Sequence, residues 1–437
     1  MVRFLKPFFI FIVLYHLFVT IVEYGIFWWT YPQAPALGRD AIWLLFFAII
    51  AISNFKTIQT YLGHWKRPRI TFIILLLFWT SMSLLKGKWI FDIFIGIKYG
   101  LFYIFIFLSA TYIGRTWSKK NINKFLKFLK YLLITTLLVG FLRQWIKFIW
   151  PEIFLKIGYG PLNDFTFWEK PPIYYLTGYQ GTSRRQWLFS WPNNYGYFLI
   201  AFLPAIFYFL KQKFVHIKKF TLNNKKTIIN TAIIGLRLLA ILLTLSRTAF
   251  IGGMVALAVM NVQRIRKHKK IAIGIWIALL AGLIWLSIVK WASTIWHIKA
   301  KFGSIKYVID KPSWYGLGTS GPAVHHNGTI LPENYYIQLM LDIGTIGFII
   351  RAMLIWQITR IGKKIQENIQ KTQQTQDDEI IYLIRKWLTI WRVCLLIMWL
   401  FLHSFEDSMI NYLFFISRGI LSGYLSKSIK KLPTTNR

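Results

Sequence analysis

Apolar runs, each about as long as a bilayer is thick, recur through the whole chain, and short segments rich in lysine and arginine separate them. Hydrocarbon offers no water to backbone N–H and C=O groups, so a crossing segment must pair them internally, as an α-helix does. The pattern predicts an all-α fold: a polytopic membrane helix bundle of about twelve transmembrane helices. With 56% hydrophobic and 18% aromatic residues and a mean hydropathy of +0.47, the chain is too apolar for an ordinary soluble domain.

Charge refines this reading. Fifty-three lysines and arginines stand against 15 carboxylates, a net charge of +38. In a soluble protein that excess would suggest nucleic acid. Here roughly two-thirds of the basic residues fall in inter-run segments of one parity, which the positive-inside rule makes cytoplasmic. Both termini are then expected inside, with the basic residues meeting membrane lipids and no nucleic acid. Met1–Trp29 has a charged start and an apolar middle but no small-residue cleavage site, so it reads as a retained first span. Cys394, the one cysteine, lies in an apolar run and reads as a packed small side chain.

Residues 1–437 read as a single integral membrane domain with two long segments on the outer side. Residues 151–190 carry Pro161, Pro171, Pro172 and many aromatics, the signature of a structured outer loop. Residues 291–334 form the second outer loop. They contain Gly316-Leu317-Gly318-Thr319-Ser320-Gly321-Pro322, which cannot continue a regular helix. Beyond it, Asp342, Gly344 and Gly347 read as helix packing. No soluble domain, internal repeat or interrupted mid-span helix is evident, and mid-span charges are scarce. That speaks against an ion-coupled transporter.

Polar groups expected on the outer side are the candidate site. Arg247 falls at the hinge Thr244-Leu245-Ser246-Arg247 between two apolar runs. Arg184 and Arg185 precede the run that opens at Pro192-Asn193-Asn194. Guanidinium groups on the outer leaflet either reach headgroups or clamp a phosphate bidentately. Asn193 and Asn194 can cap a helix, and a helix N-terminus also favours an anion. His325, His326 and Glu333 are groups that could take a proton from a hydroxyl; for Glu333 the plain alternative is to offset the dipole of the helix after it. No phosphate-binding glycine loop, HExxH, GxSxG or metal-ligand spacing is present, so neither metal nor cofactor is expected.

Four elements together resemble the O-antigen ligase and O-antigen polymerase superfamily of bacterial multi-span membrane proteins. Pro192-Asn193-Asn194, with Arg184 or Arg185 upstream, resembles its PN element. Thr244-Leu245-Ser246-Arg247 resembles its T-x-S-R element. The Gly316–Pro322 stretch resembles its GxG segment, with His297 ahead of it as in one branch. Glu333-Asn334 through Gly347 resembles its closing helix element. Family ligases often carry histidine before that asparagine, where this chain has Glu333; either the chain lies nearer the polymerases or glutamate takes the role.

The resemblance implies transfer of a glycan from a polyprenyl-diphosphate carrier to an acceptor hydroxyl, the acceptor being a glycan or a lipid-linked one, at the outer face of the bacterial cytoplasmic membrane. Arg247 with Arg184 or Arg185 would hold the diphosphate. Glu333, His325 or His326 would act as base, and Asn193, Asn194, Asn334 and His297 would bind substrate. Polymerase and ligase both remain open, and the alternative class is a transporter or flippase for a polysaccharide precursor.

Overall fold

The computed structural model describes residues 2–18, 33–53, 66–156, 175–177, 182–184, 195–200, 239–260, 269–289, 291–310, 314, 316, 334–372, 387, 389–394, 396–397 and 408–429. Among them the fold is helical, apart from one two-stranded ribbon. Helices α1 (Val2–Phe18), α2 (Gln33–Ser53), α3 (Lys66–Leu85), α4 (Ile90–Thr116), α5 (Lys119–Ile149) and α6 (Pro151–Lys156) come first. Strands β1 (Tyr175–Thr177) and β2 (Thr182–Arg184) pair antiparallel, with Tyr175 opposite Arg184. Then follow α7 (Arg247–Met260), α8 (Lys269–Val289), α9 (Trp291–Asp310), α10 (Tyr335–Thr372) and α11 (Ser408–Ile429). Residues 195–200 and 239–243 are also helical.

The all-α expectation holds. Two helices among the described residues, Lys119–Ile149 and the Tyr335–Gln357 part of α10, are long and apolar enough to cross a membrane, and shorter apolar helices include Ile70–Leu85, Leu101–Thr116 and Leu280–Val289. Lys86-Gly87 turns α3 back toward α4, with Gly87 at φ +67°. Within residues 151–190 the described parts are α6 and the ribbon.

Residues 291–334 differ from expectation: their first part is not loop but the 20-residue helix α9. Thr294, His297, Lys301 and Ser304 recur at helical spacing and share one face. Low hydropathy hides such a helix, whereas its period reveals it. The stripe beside that face exposes Ile298, Phe302, Ile305 and Ile309, and Lys299 and Lys306 are exposed beyond it.

Elsewhere, too, the exposed surface is apolar. α8 shows Ile273, Ile277, Leu280, Ile284 and Ile288 along one stripe, and α5 shows Leu138, Leu142, Trp145 and Phe148. Meanwhile Arg351 (2% exposed), Asp342 (3%) and Asp40 (2%) are inside. Apolar stripes that face outward while charges face inward invert the order of a water-soluble bundle.

The largest helix–helix contact joins α4 to α11. Small residues permit it. Gly114 lies against the Ile420 backbone, Gly419 against Ala110 and the Phe107 carbonyl, and Gly423 against the Thr111 carbonyl. Each helix therefore contributes a small-x-x-x-small pair, Ala110/Gly114 and Gly419/Gly423, that lets the backbones approach. Around α4, Tyr412 on α11 donates to Asp40 Oδ1 on α2 at 3.1 Å. Arg351 on α10 donates to the Tyr103 hydroxyl at 3.3 Å and to the Tyr335 hydroxyl. On the far side of α10, Thr71 of α3 donates to Gln357 Oε1 at 3.0 Å.

α10 is interrupted, against the expectation of continuous helices. Gly344 has φ +68° and ψ −178°, a region only glycine occupies readily. The break is held from outside the helix: Ile346 N–H donates to the Trp314 carbonyl at 3.2 Å. Gly316, at φ +72°, meets Gly344 backbone to backbone. Gly316 and Gly344, one glycine from each cluster noted in the sequence, are thus in contact. Gly347 does pack within its helix, against Ile343.

Candidate functional site

Arg247 is placed by the chain break just ahead of it. The Thr244 hydroxyl donates to the Ile241 carbonyl at 2.7 Å and accepts the Ser246 N–H at 3.2 Å, so the preceding helical turn closes on itself. Leu245 takes φ +48°, a left-handed conformation that costs a non-glycine residue about 1 kcal/mol. Ser246 Oγ then accepts the Ala249 N–H at 3.2 Å and caps α7. Arg247 is therefore the first residue of α7, as the hinge reading expected.

A cation at this position opposes the helix dipole, which disfavours it by roughly 0.3–1 kcal/mol. The same dipole favours an anion, so the guanidinium and the helix end act with one sign on anything negative placed there. The Arg247 Nη1 donates to the Thr294 hydroxyl on α9, and that hydroxyl donates to the Ser287 carbonyl of α8 at 3.3 Å. The arginine is thus braced on two neighbouring helices.

Thr294 was not among the residues singled out by sequence, yet a signal existed: it sits one turn before His297 on the same face of α9. Arg247 and the His297-bearing face are so brought together. A third element joins them. The helical segment 195–200, directly after Asn194, sets Gly196 against Ala249 and the Thr244 hydroxyl; a Cβ there would lie 2.5 Å from the Ala249 Cβ. Tyr195, Tyr197 and Phe198 are buried around it. The 195–200 segment, the Thr244–Arg247 turn and the Thr294 position of α9, separate in sequence, thus meet at the head of α7.

Asn334 has a local role. Its Oδ1 accepts the Tyr336 N–H at 2.9 Å and the Ile337 N–H at 3.3 Å, which caps α10. Arg184 is the last residue of β2, paired with Tyr175. Glu333, His325, His326, Arg185, Asn193 and Asn194 lie outside the described residues. Among the described residues, no three His, Cys, Asp or Glu side chains are grouped as metal ligands would be. Cys394 is buried, with its thiol 3.4 Å from the Gly252 carbonyl. No family model, curated protein or solved structure matches the chain.

Proposed function

We propose that the chain is a multi-span membrane protein that transfers a glycan from a polyprenyl-diphosphate carrier to an acceptor hydroxyl at the outer face of the bacterial cytoplasmic membrane, as O-antigen polymerases and ligases do. The observation that carries this reading is Arg247 at the head of α7, braced by Thr294 and packed beside the segment that follows Asn194. In the reaction the acceptor oxygen bonds to the anomeric carbon, the bond from that carbon to the diphosphate oxygen breaks, and the diphosphate leaves with the electron pair. Arg247 stabilises the charge that grows on the leaving group. The acceptor's proton goes to Glu333, His325 or His326.

Loss of a charge-assisted contact of this kind costs about 1.5–3 kcal/mol, so Arg247→Gln is expected to cut transfer by roughly 10- to 150-fold. The readout is polymer length, or glycan joined to acceptor, in cells that contain the variant at normal levels. Unaltered polymer in both Arg247→Ala and Glu333→Ala would refute the assignment.

One observation favours a second reading, a transporter or flippase for a polysaccharide precursor. α10 is broken at Gly344, with Asp342 and Gln338 buried beside the break, and interrupted helices with buried polar groups mark transport sites. Proteoliposomes separate the two. Transfer of glycan from carrier to added acceptor, with no change in carrier sidedness, supports the transferase; carrier reorientation without transfer supports the transporter.

A further inference from the structure

Helix α9 turns an apolar stripe outward. At 3.6 residues per turn, Trp291, Ile298, Phe302, Ile305 and Ile309 fall within about 60° of its circumference. All five are exposed, Phe302 and Ile309 to 70%. The side toward the protein is polar instead. Thr294 meets Arg247 and the Ser287 carbonyl, and Ser304 is buried, its hydroxyl donating to the Ala300 carbonyl at 2.7 Å. A surface helix of a water-soluble fold has the reverse arrangement, apolar positions inward and polar ones outward. The outward side of α9 therefore suits an apolar neighbour.

Charge and continuity say which neighbour. Exposed Lys299 and Lys306 line the edge of the stripe that points away from Thr294 and Ser304. Lysine beside an apolar stripe, with a tryptophan at the helix start, is the pattern of a helix that lies in a membrane interface, where anionic headgroups complement the lysines. The exposed apolar surface also continues past α9, because α8 exposes Ile284 and Ile288 up to the corner between the two helices. A crossing of the bilayer does not suit α9. Its 20 residues would reach about 30 Å, but exposed Lys299 lies near the middle, and an ammonium at the bilayer centre is costly.

We propose that α9 lies flat in the membrane interface, with its apolar stripe below the headgroups and Lys299 and Lys306 against the phosphates of anionic phospholipids. So placed, α9 keeps Thr294, and the Arg247 guanidinium bonded to it, close to headgroup depth. The inference uses the membrane setting of the chain and not the transfer reaction. Its test reads position and lipid contact, so it stands or falls apart from turnover.

Nitroxide labels are placed in the full-length Cys394→Ser protein at Ile298→Cys, Phe302→Cys, Ile305→Cys and Ile309→Cys, with Gly303→Cys outside the stripe as control. All of these positions are exposed or open, so the labels displace no packing. In phosphatidylcholine–phosphatidylglycerol nanodiscs the accessibility to oxygen and to a water-soluble nickel chelate gives the depth of each label. The four stripe labels are expected at one shallow depth, reached by oxygen, and Gly303→Cys is expected to be reached by nickel. A depth that changes steadily by about 16 Å from residue 298 to 309 would show a crossing helix and overturn the proposal. Nickel access at the stripe equal to that at Gly303→Cys, which means water, overturns it as well. So do stripe labels shielded from both reagents, which means a protein cover. For the headgroups, a bimane on Phe302→Cys is expected to be quenched about twofold more by doxyl-labelled phosphatidylglycerol than by doxyl-labelled phosphatidylcholine. The pair Lys299→Gln with Lys306→Gln is expected to abolish that preference. Equal quenching in the parent protein, or a preference that survives the pair, overturns the headgroup contact.

Discussion

Replacing Gly344 with alanine is expected to destabilise the bundle through contacts made far along the chain. At φ +68° and ψ −178° a side chain is strained by about 1–3 kcal/mol. The new Cβ would also fall on the backbone of Trp314 and Gly316. Relieving that clash separates the segments and breaks the bond from Ile346 N–H to the Trp314 carbonyl, worth about 1 kcal/mol. The sum is roughly 2–4 kcal/mol. With an unfolding entropy of about 2 cal/mol/K per residue over 437 residues, 3 kcal/mol lowers the melting midpoint by about 3 °C.

Gly316→Ala meets the same contact from the other side, its Cβ 2.5 Å from the Asp342 carbonyl oxygen and the Gly344 nitrogen. Once one alanine has parted the segments, the second finds room, so the double variant is expected to lose about 1–2 kcal/mol less than the sum of the singles. Thermal unfolding of detergent-purified single and double variants measures both quantities. A Gly344→Ala midpoint within 1 °C of wild type (about 1 kcal/mol by the same conversion), or strict additivity, would refute the back-to-back contact.

Ser246→Ala removes the cap of α7 and is expected to cost about 1 kcal/mol, seen as a lower melting midpoint, with a larger proportional loss of transfer because Arg247 is the next residue. Tyr335→Phe takes a hydroxyl from buried Arg351, and a loss of about 1.5–3 kcal/mol in stability is expected; Tyr335→Phe at wild-type stability would show that the bond contributes nothing. Gly423→Val drives a side chain into the Thr111 carbonyl at the α4–α11 seam and is expected to cost about 3 kcal/mol or more, read as loss of folded protein on size exclusion. By contrast, helical Gly274 and Gly303 face open space, so alanine at either is expected to add about 0.4–1 kcal/mol.

Features set by neighbouring residues were legible in the sequence, and features set by distant ones were not. The break ahead of Arg247 follows from residues within one or two turns, and it lies where the pattern put it. α9 was lost because a hydropathy reading averages over both faces of a helix. Its polar positions Thr294, His297, Lys301 and Ser304 carry the period that would have found it.

The interruption at Gly344 depends on Trp314 and Gly316, which approach from outside the helix, so α10's own sequence reads as continuous. The α4–α11 seam was half legible: Ala110/Gly114 and Gly419/Gly423 are visible as motifs, but nothing local says that one faces the other. In the candidate site Arg247 was legible as a cation flanked by apolar runs, and its support was not. The period of α9 puts Thr294 on the His297 face, but its bond to Arg247 and the packing of Gly196 on Ala249 come from folding.

The pinning of the Gly316 segment onto α10 has an evolutionary consequence. The chain is fixed at Trp314 and Gly316 against Gly344, and fixed again at Asn334 where α10 begins. At 1.5 Å per helical residue those anchors are roughly 15 Å apart along one helix. Gly316 and Asn334, the described residues on either side of 317–333, are therefore both held on one helix. Doubling the length of a segment between two such anchors costs only about 0.6 kcal/mol in closure entropy. Length changes between these anchors are thus expected to leave the Gly316–Gly344 contact and the Asn334 cap of α10 in place.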